Sequence, residues 1–240
     1  MNDLMPEEMP GQVNLADLPR DSRFKHDGCL RYSEPQVIAD DALAWLNSLK
    51  IPRAVTPSSI RIHTEQHEFE IDVRKAIDDE NKKYGRNLAY PNSNSLPFAF
   101  ASHVQGGRIY LSPNAYYLLQ GNIEERAYVW RCIAHEYWHG IRKSPMQYNP
   151  SSDIEEGLAQ EFAERMSQAR LGGVAKTGAY ANELILVRQL MSAWGEHQNE
   201  IWQQLLKSRT ANDLSKWLWD ETLKHGFSIK ETENLLKYRR

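Results

Sequence analysis

Apolar positions along this chain fall into runs whose period changes several times, and the changes predict its elements. Residues 1 to about 30 keep no period; rich in Pro, Asp and Glu, they read as a flexible lead. From Ser33, a good cap residue, Val37, Ile38, Ala42, Trp45, Leu46 and Leu49 hold helical spacing. "IPRAVTP" breaks that helix, and "SIRIHTE" alternates like a short strand. "FEIDVRKAIDDENKKYG" turns charged and ends on Gly85, which favours a glycine-closed helix. "FAFASHV" and "RIYLS", separated by "QGG", predict a hairpin.

The strongest helical pattern runs from Asn122 to Ile141. Asn122 is a good N-cap, and Glu125 stands at N3, where it can answer the cap. Ile123, Ala127, Trp130, Ala134, Trp138 and Ile141 form one apolar stripe. A second helix is expected from Ser152, where "SDIE" has capping-box spacing and Ile154, Leu158, Phe162 and Met166 follow every four residues. "LGG" at 171–173 ends it. Three further helical patterns follow: "NELILVRQLMSAW", "DLSKWLWDETLKHG" and "SIKETENLLKY". The last starts at Ser228, with Glu231 at N3.

Composition narrows the class. The chain has 240 residues, a quarter of them charged, and a formal net charge of −3. That length suffices for a sizeable core. The charge balance gives no basic excess of the kind that nucleic acid or an anionic membrane calls for. No apolar run approaches the length of a membrane span. The N-terminus "MNDLMPEEMP" lacks the features of a signal peptide, so the expected location is the cytoplasm, or outside the cell by a route that reads no such signal. Cys29 and Cys132 make no disulfide framework and read as free thiols.

The chemistry concentrates in "RCIAHEYWHG". His135 and His139 are four apart, so on a helix they share one face, with Cβ atoms about 6 Å apart. Two imidazoles so placed can converge on one ion at about 2.0–2.1 Å, and Zn2+ suits neutral imidazole nitrogen. Glu136 points about 100° further round the helix, toward a water on the ion's open position. Zinc lowers the pKa of such a water to about 7, and Glu136 can take its proton. His-Glu-x-x-His arises by chance in on the order of one in a hundred chains of this length. The alternative is a solvated surface pair. Against it, only Arg131 and Glu136 carry charge between Val129 and Tyr137, and a glutamate in such company needs a partner or a function.

A catalytic zinc normally has three protein ligands. A third histidine six residues past the second is absent, because Pro145 stands there. Asp153, Glu155 and Glu156 are the downstream acids. With Ser152 as N-cap, Glu155 is engaged in the capping box and Asp153 faces the helix entrance. Glu156 is left free, and Gly157, Ala159 and Ala163 beside it allow the second helix to approach the first. Glu156 is the expected third ligand, with Glu155 as the second choice.

"HEYWH" followed by "EEGLAQEFAE" resembles the gluzincin branch of the zincin metallopeptidases, over roughly residues 106–166. The resemblance implies Glu156 in the position of the third ligand and Glu136 in that of the catalytic base. It also likens "GGRIYLSP" to the edge strand on which zincins hold extended substrate. A Tyr or His from elsewhere commonly steadies the oxyanion in that branch; Tyr148, Tyr180 and His103 are the candidates. The expected fold is α+β and zincin-like. A small mixed sheet and an active-site helix span about 31–142, and a largely helical lobe spans 143–240, together one domain. The expected function is a zinc-dependent endopeptidase acting on a protein or peptide substrate. The alternatives are an effector or toxin peptidase delivered to another cell, and a zincin-like module that binds metal or a partner without turnover.

Overall fold

The computed structural model describes residues 34–51, 56–85, 87–91, 96–102, 104, 107–141, 152–171, 180–194 and 211–236. The lead over 1–30, the cap at Ser33 and the "LGG" stop lie outside them, apart from Leu171. The chain is mixed α+β and mostly helical. Its elements are α1 (Pro35–Ser48), β1 (Ile60–Ile62), α2 (Gln66–Tyr84), β2 (Ala99–Ser102), β3 (Arg108–Leu111), α3 (Pro113–Leu119), α4 (Ile123–Ile141), α5 (Ser152–Leu171), α6 (Ala181–Trp194), α7 (Ala211–Lys224) and α8 (Ile229–Leu236).

Local sequence explains most of the boundaries. Gly85 closes α2 in the left-handed conformation (φ 64°), which costs glycine nothing. At the head of α4, Asn122 Oδ1 accepts from the backbone N–H groups of Glu124 and Glu125, and Glu125 Oε2 accepts from Asn122 N–H. The reciprocal box satisfies donors that a helix start leaves open. Ser228 and Glu231 build the same box ahead of α8. The short helix α3 has no counterpart in the sequence reading, although Ser112-Pro113 is a cap residue followed by proline at the first helical position.

The three strands form a mixed sheet in the order β1-β3-β2. β1 runs parallel to β3, with Ile60 opposite Ile109, and β2 runs antiparallel to β3, with Phe100 opposite Tyr110. This corrects one expectation. "GGRIYLSP" supplies β3, and β3 is the central strand: β1 occupies one side of it and the hairpin partner β2 the other. Among the described residues β2 is an outer strand. Ser112 N–H donates to Phe98 C=O at 3.0 Å. Ladder bonds alternate along an antiparallel pair, so Ala99 and Ala101 turn their backbone N–H and C=O away from β3, to the outer edge.

Side-chain alternation sorts the sheet's faces. Ile60, Ala99, Ile109 and Leu111 join the main core with α1, α4 and α5, while Phe100 and Tyr110 pack with Phe69, Val73 and Ile77 of α2. Helix α4 is buried on more than one stripe. Val129, Ile133 and Tyr137 are as inaccessible as Trp130, Ala134 and Trp138, because α1, the sheet and α5 surround it. Its approach to the loop before β1 is so close that a Cβ on Gly140 would lie 2.4 Å from Pro57 Cγ. Ala159 and Ala163, both fully buried, let α5 lie close on α4. Gly157 does a different job from the one expected. A Cβ there would meet Glu183 O at 2.3 Å and Val187 Cγ2 at 2.6 Å, so this glycine admits α6. One residue on from Glu156, it faces about 100° round the helix, away from α4.

Candidate metal centre and cleft

Two helices bring three potential ligands together. His135 Nε2 lies 3.1 Å from Glu156 Oε2 and 3.2 Å from His139 Nε2, and His139 Nε2 lies 3.6 Å from Glu156 Oε2. Among the described residues these three form the group of His, Cys, Asp or Glu side chains whose ligand atoms all lie within 4.8 Å of one another. A tetrahedral ion at about 2.0–2.1 Å from each ligand sets ligand atoms roughly 3.3 Å apart. The observed triangle matches that spacing on every edge, so the donor set fits a metal ion in size and in chemistry.

Packing fixes the triangle. α5 docks on α4 through Phe162, whose ring lies 5.3 Å from that of Trp138 and 6.4 Å, stacked, from that of Tyr137. Trp138 Nε1 donates to Glu155 Oε1 at 3.0 Å. Glu155 is 4% exposed, so this bond is made in the interior. The acid ranked second as a ligand is therefore turned to an indole of α4, and it pins the start of α5 where Glu156 must point. Asp153 has no place in the triangle, and its side chain lies outside the described residues.

The electrostatics are those of a charged pair under a partial cover. Burial disfavours a charge on His139, but Glu156 beside it overrides this and raises its pKa to about 9. Burial likewise opposes the Glu156 carboxylate, yet the two imidazoles hold it far below the usual carboxylate range. Without metal, a proton stands among these groups; a metal ion held by them would take its place.

Glu136 opens onto the same cleft as His135, which has a volume of about 130 Å³. The carboxylate of Glu136 makes no hydrogen bond among the described residues, so it is available to a ligand. Tyr128, Arg131 and Cys132 continue the α4 wall, and Gln160 comes from α5. Phe98 and Ala99, at the start of β2, form the opposite wall. The outer strand thus borders the cleft. Burial, with Glu136 nearby, pushes the Cys132 thiol up to about 12, so it is an unreactive wall group.

Of the oxyanion candidates, His103 and Tyr148 lie outside the described residues. Tyr180 stands at the site. Its ring stacks on His135, with centroids 5.2 Å apart and planes 14° apart. It precedes α6 with φ 62°, a left-handed backbone that is a genuine outlier for a bulky residue. Burial and the Glu156 and Glu136 charges push its phenol well above the ordinary value, so it keeps its proton and remains a donor.

Arg131 and Gln160 also line the cleft, which the sequence reading did not foresee. The signal was spacing: Arg131 stands one turn before His135 on the α4 face, and Gln160 one turn after Glu156 on α5. Comparisons with protein-family models, with curated proteins and with solved structures each find no match for the chain. Among the described residues no helix is long and apolar enough to cross a membrane.

Proposed function

We propose that this chain is a zinc-dependent metallopeptidase of gluzincin type, with His135, His139 and Glu156 as ligands and Glu136 as general base. The observation that carries the proposal is the ligand triangle of 3.1, 3.2 and 3.6 Å, with an uncommitted carboxylate beside it in one cleft. A structural metal site needs no such base and has all its positions filled by protein; three ligands and an open side are the catalytic pattern. Imidazole, imidazole and carboxylate are donors that suit Zn2+.

When bound, zinc supplies Lewis acidity, polarising a carbonyl and lowering the pKa of water to about 7. The chain's own residues do the rest. Glu136 accepts the proton of the attacking water and delivers it to the leaving amine, one carboxylate serving as base and then as acid. Tyr180 O–H stands ready to donate to the oxygen that gains charge in the tetrahedral intermediate. The outward N–H and C=O groups of Ala99 and Ala101 offer an extended peptide a strand to pair with, along the cleft wall. Glu155, through Trp138, keeps Glu156 oriented.

The test is Glu136→Gln. The variant is expected to retain zinc at the wild-type ratio and to lose peptide hydrolysis, read by mass spectrometry of a peptide pool incubated with each protein. Undiminished cleavage by the variant would reject the role of Glu136.

A further inference from the structure

A second titratable cluster lies on the other face of the sheet, away from the ligand triangle. His63 directly follows β1 and is 2% exposed. Its ring lies 5.3 Å from that of Phe69 on α2 and 6.1 Å from that of Tyr110 on β3. Both ring nitrogens meet oxygen. Nδ1 lies 3.1 Å from the Leu111 carbonyl oxygen, which already accepts from the His63 backbone N–H at 3.0 Å. Nε2 lies 2.9 Å from Asp72 Oδ2.

These partners dictate where the hydrogens must be. A carbonyl only accepts, so the bond at Nδ1 needs a hydrogen on Nδ1. Arg61 Nη1 stands 2.8 Å from the same Asp72 Oδ2. A guanidinium on that oxygen favours the carboxylate, which also only accepts, so the bond at Nε2 needs a hydrogen on Nε2. A neutral imidazole carries one hydrogen and can serve one side but not both. With Nε2 bare, its lone pair would face the carboxylate; with Nδ1 bare, the Leu111 carbonyl.

The surroundings offer no substitute donor. Around the ring, β1 contributes Arg61, α2 contributes Asp72, and β3 contributes Tyr110 with Arg108 beside it. Arg108 Nε donates to Ser59 Oγ at 3.0 Å, and its side chain also bonds to that of Tyr110. Burial raises the Tyr110 phenol above its ordinary value, so it stays neutral. Glu65, His67 and Glu68, close by in the chain, are exposed. On this face β2 presents Phe100, which packs on Tyr110.

We infer that His63 is a proton-controlled latch: with both ring nitrogens protonated it ties Asp72 of α2 to Leu111 of β3, and loss of one proton releases α2 from the sheet. Otherwise α2 is seated here by Phe69, Val73 and Ile77, a small cluster apart from the main core. Release therefore loosens α2 and leaves the main core standing. Leu111 pairs with Ala99, a wall residue of the cleft, so the latch grips the sheet where β3 backs that wall. The latch is closed at lower pH and opens as pH rises through the loss of the second proton. None of its residues is a proposed ligand or lines the cleft, so it stands or falls apart from the metallopeptidase reading.

The experiment uses the full chain with nitrogen-15 in its histidines. NMR of the ring nitrogens counts the hydrogens on His63 from about pH 5 to about pH 8, the span in which imidazoles change charge. Hydrogen exchange read by mass spectrometry, corrected for the intrinsic effect of pH, follows the protection of α2 over the same span. Protection is expected to fall by about tenfold or more as the ring goes from two hydrogens to one. Asp72→Asn supplies an amide that donates to a bare Nε2 or accepts from a protonated one, so α2 should stay protected throughout. His63→Phe keeps an aromatic ring and neither bond, so α2 should exchange fast throughout. Both variants retain the ligand triangle, so a pH effect arising there appears in all three proteins. A ring whose charge does not change within the span, protection that does not follow the ring, or the same pH dependence in Asp72→Asn overturns the latch. The last comparison keeps the test open should His63→Phe fail to fold.

Discussion

His135 Nε2 and Glu156 Oε2 lie 3.1 Å apart across the seam between α4 and α5, although 21 residues separate them in the chain. Neither side chain reaches the other by local structure. The contact exists because Phe162, Ala159 and Ala163 seat α5 on α4, and because Trp138 holds Glu155 one residue away.

The two adjacent glutamates should therefore separate cleanly. Glu156→Ala removes a ligand and is expected to weaken zinc binding by more than the roughly 100-fold typical of losing an outer partner. Glu155→Gln leaves an oxygen to accept from Trp138 and should cost no more than about tenfold to 100-fold. Competition with a chromophoric chelator reads both values.

Tyr180→Phe removes one hydroxyl and leaves the stacked ring in place. If the phenol steadies the oxyanion, kcat falls by about 10²-fold while KM and zinc content stay near wild type. Steady-state kinetics beside metal analysis make the check; an unchanged kcat returns Tyr180 to a packing role.

Gly157→Ala drives a methyl against Glu183 O and Val187 at the α5–α6 contact. Overpacking of this kind costs typically about 1–3 kcal/mol. Urea unfolding is expected to show that loss.

The proton at the metal-free site gives a pH dependence with a definite sign. His139 titrates at about 9 against an ordinary 6.5, so its pairing stabilises the fold fully below 6.5 and fades as pH rises through about 9. Glu156 is shifted the other way, so its contribution is present above its ordinary 4.5 and is lost on acidification. The metal-free protein draws most from this pair between 4.5 and 6.5. Zinc must displace the proton, so zinc affinity is expected to rise with pH up to about 9. The gap in Tm between zinc-loaded and metal-free protein should accordingly widen from about pH 6 to about pH 9. A constant gap would contradict the exchange.

Much of this arrangement was legible along the chain. Asn122 with Glu125 and Ser228 with Glu231 announced two helix starts, since cap chemistry is local. The shared face of His135 and His139 needed only the helical period, whereas Glu156 was singled out by elimination of Asp153 and Glu155, by the small residues beside it and by the resemblance; that it lies beside the two histidines is a tertiary fact. What failed was tertiary. Which strand lies outermost depends on pairing between β1 and β3, 46 or more residues apart in sequence, and Gly157 was matched to the wrong neighbour because α6 could not be placed. That Arg131 and Gln160 line the cleft was not read because it depends on how α5 crosses α4.

The most direct measurement is X-ray diffraction from crystals of the zinc-loaded protein on both sides of the zinc absorption edge. The account predicts one anomalous peak about 2.0–2.2 Å from His135 Nε2, His139 Nε2 and a Glu156 oxygen, with a side open to the cleft. No peak there, or an ion bound elsewhere with Glu156 turned away from the two imidazoles, would contradict it.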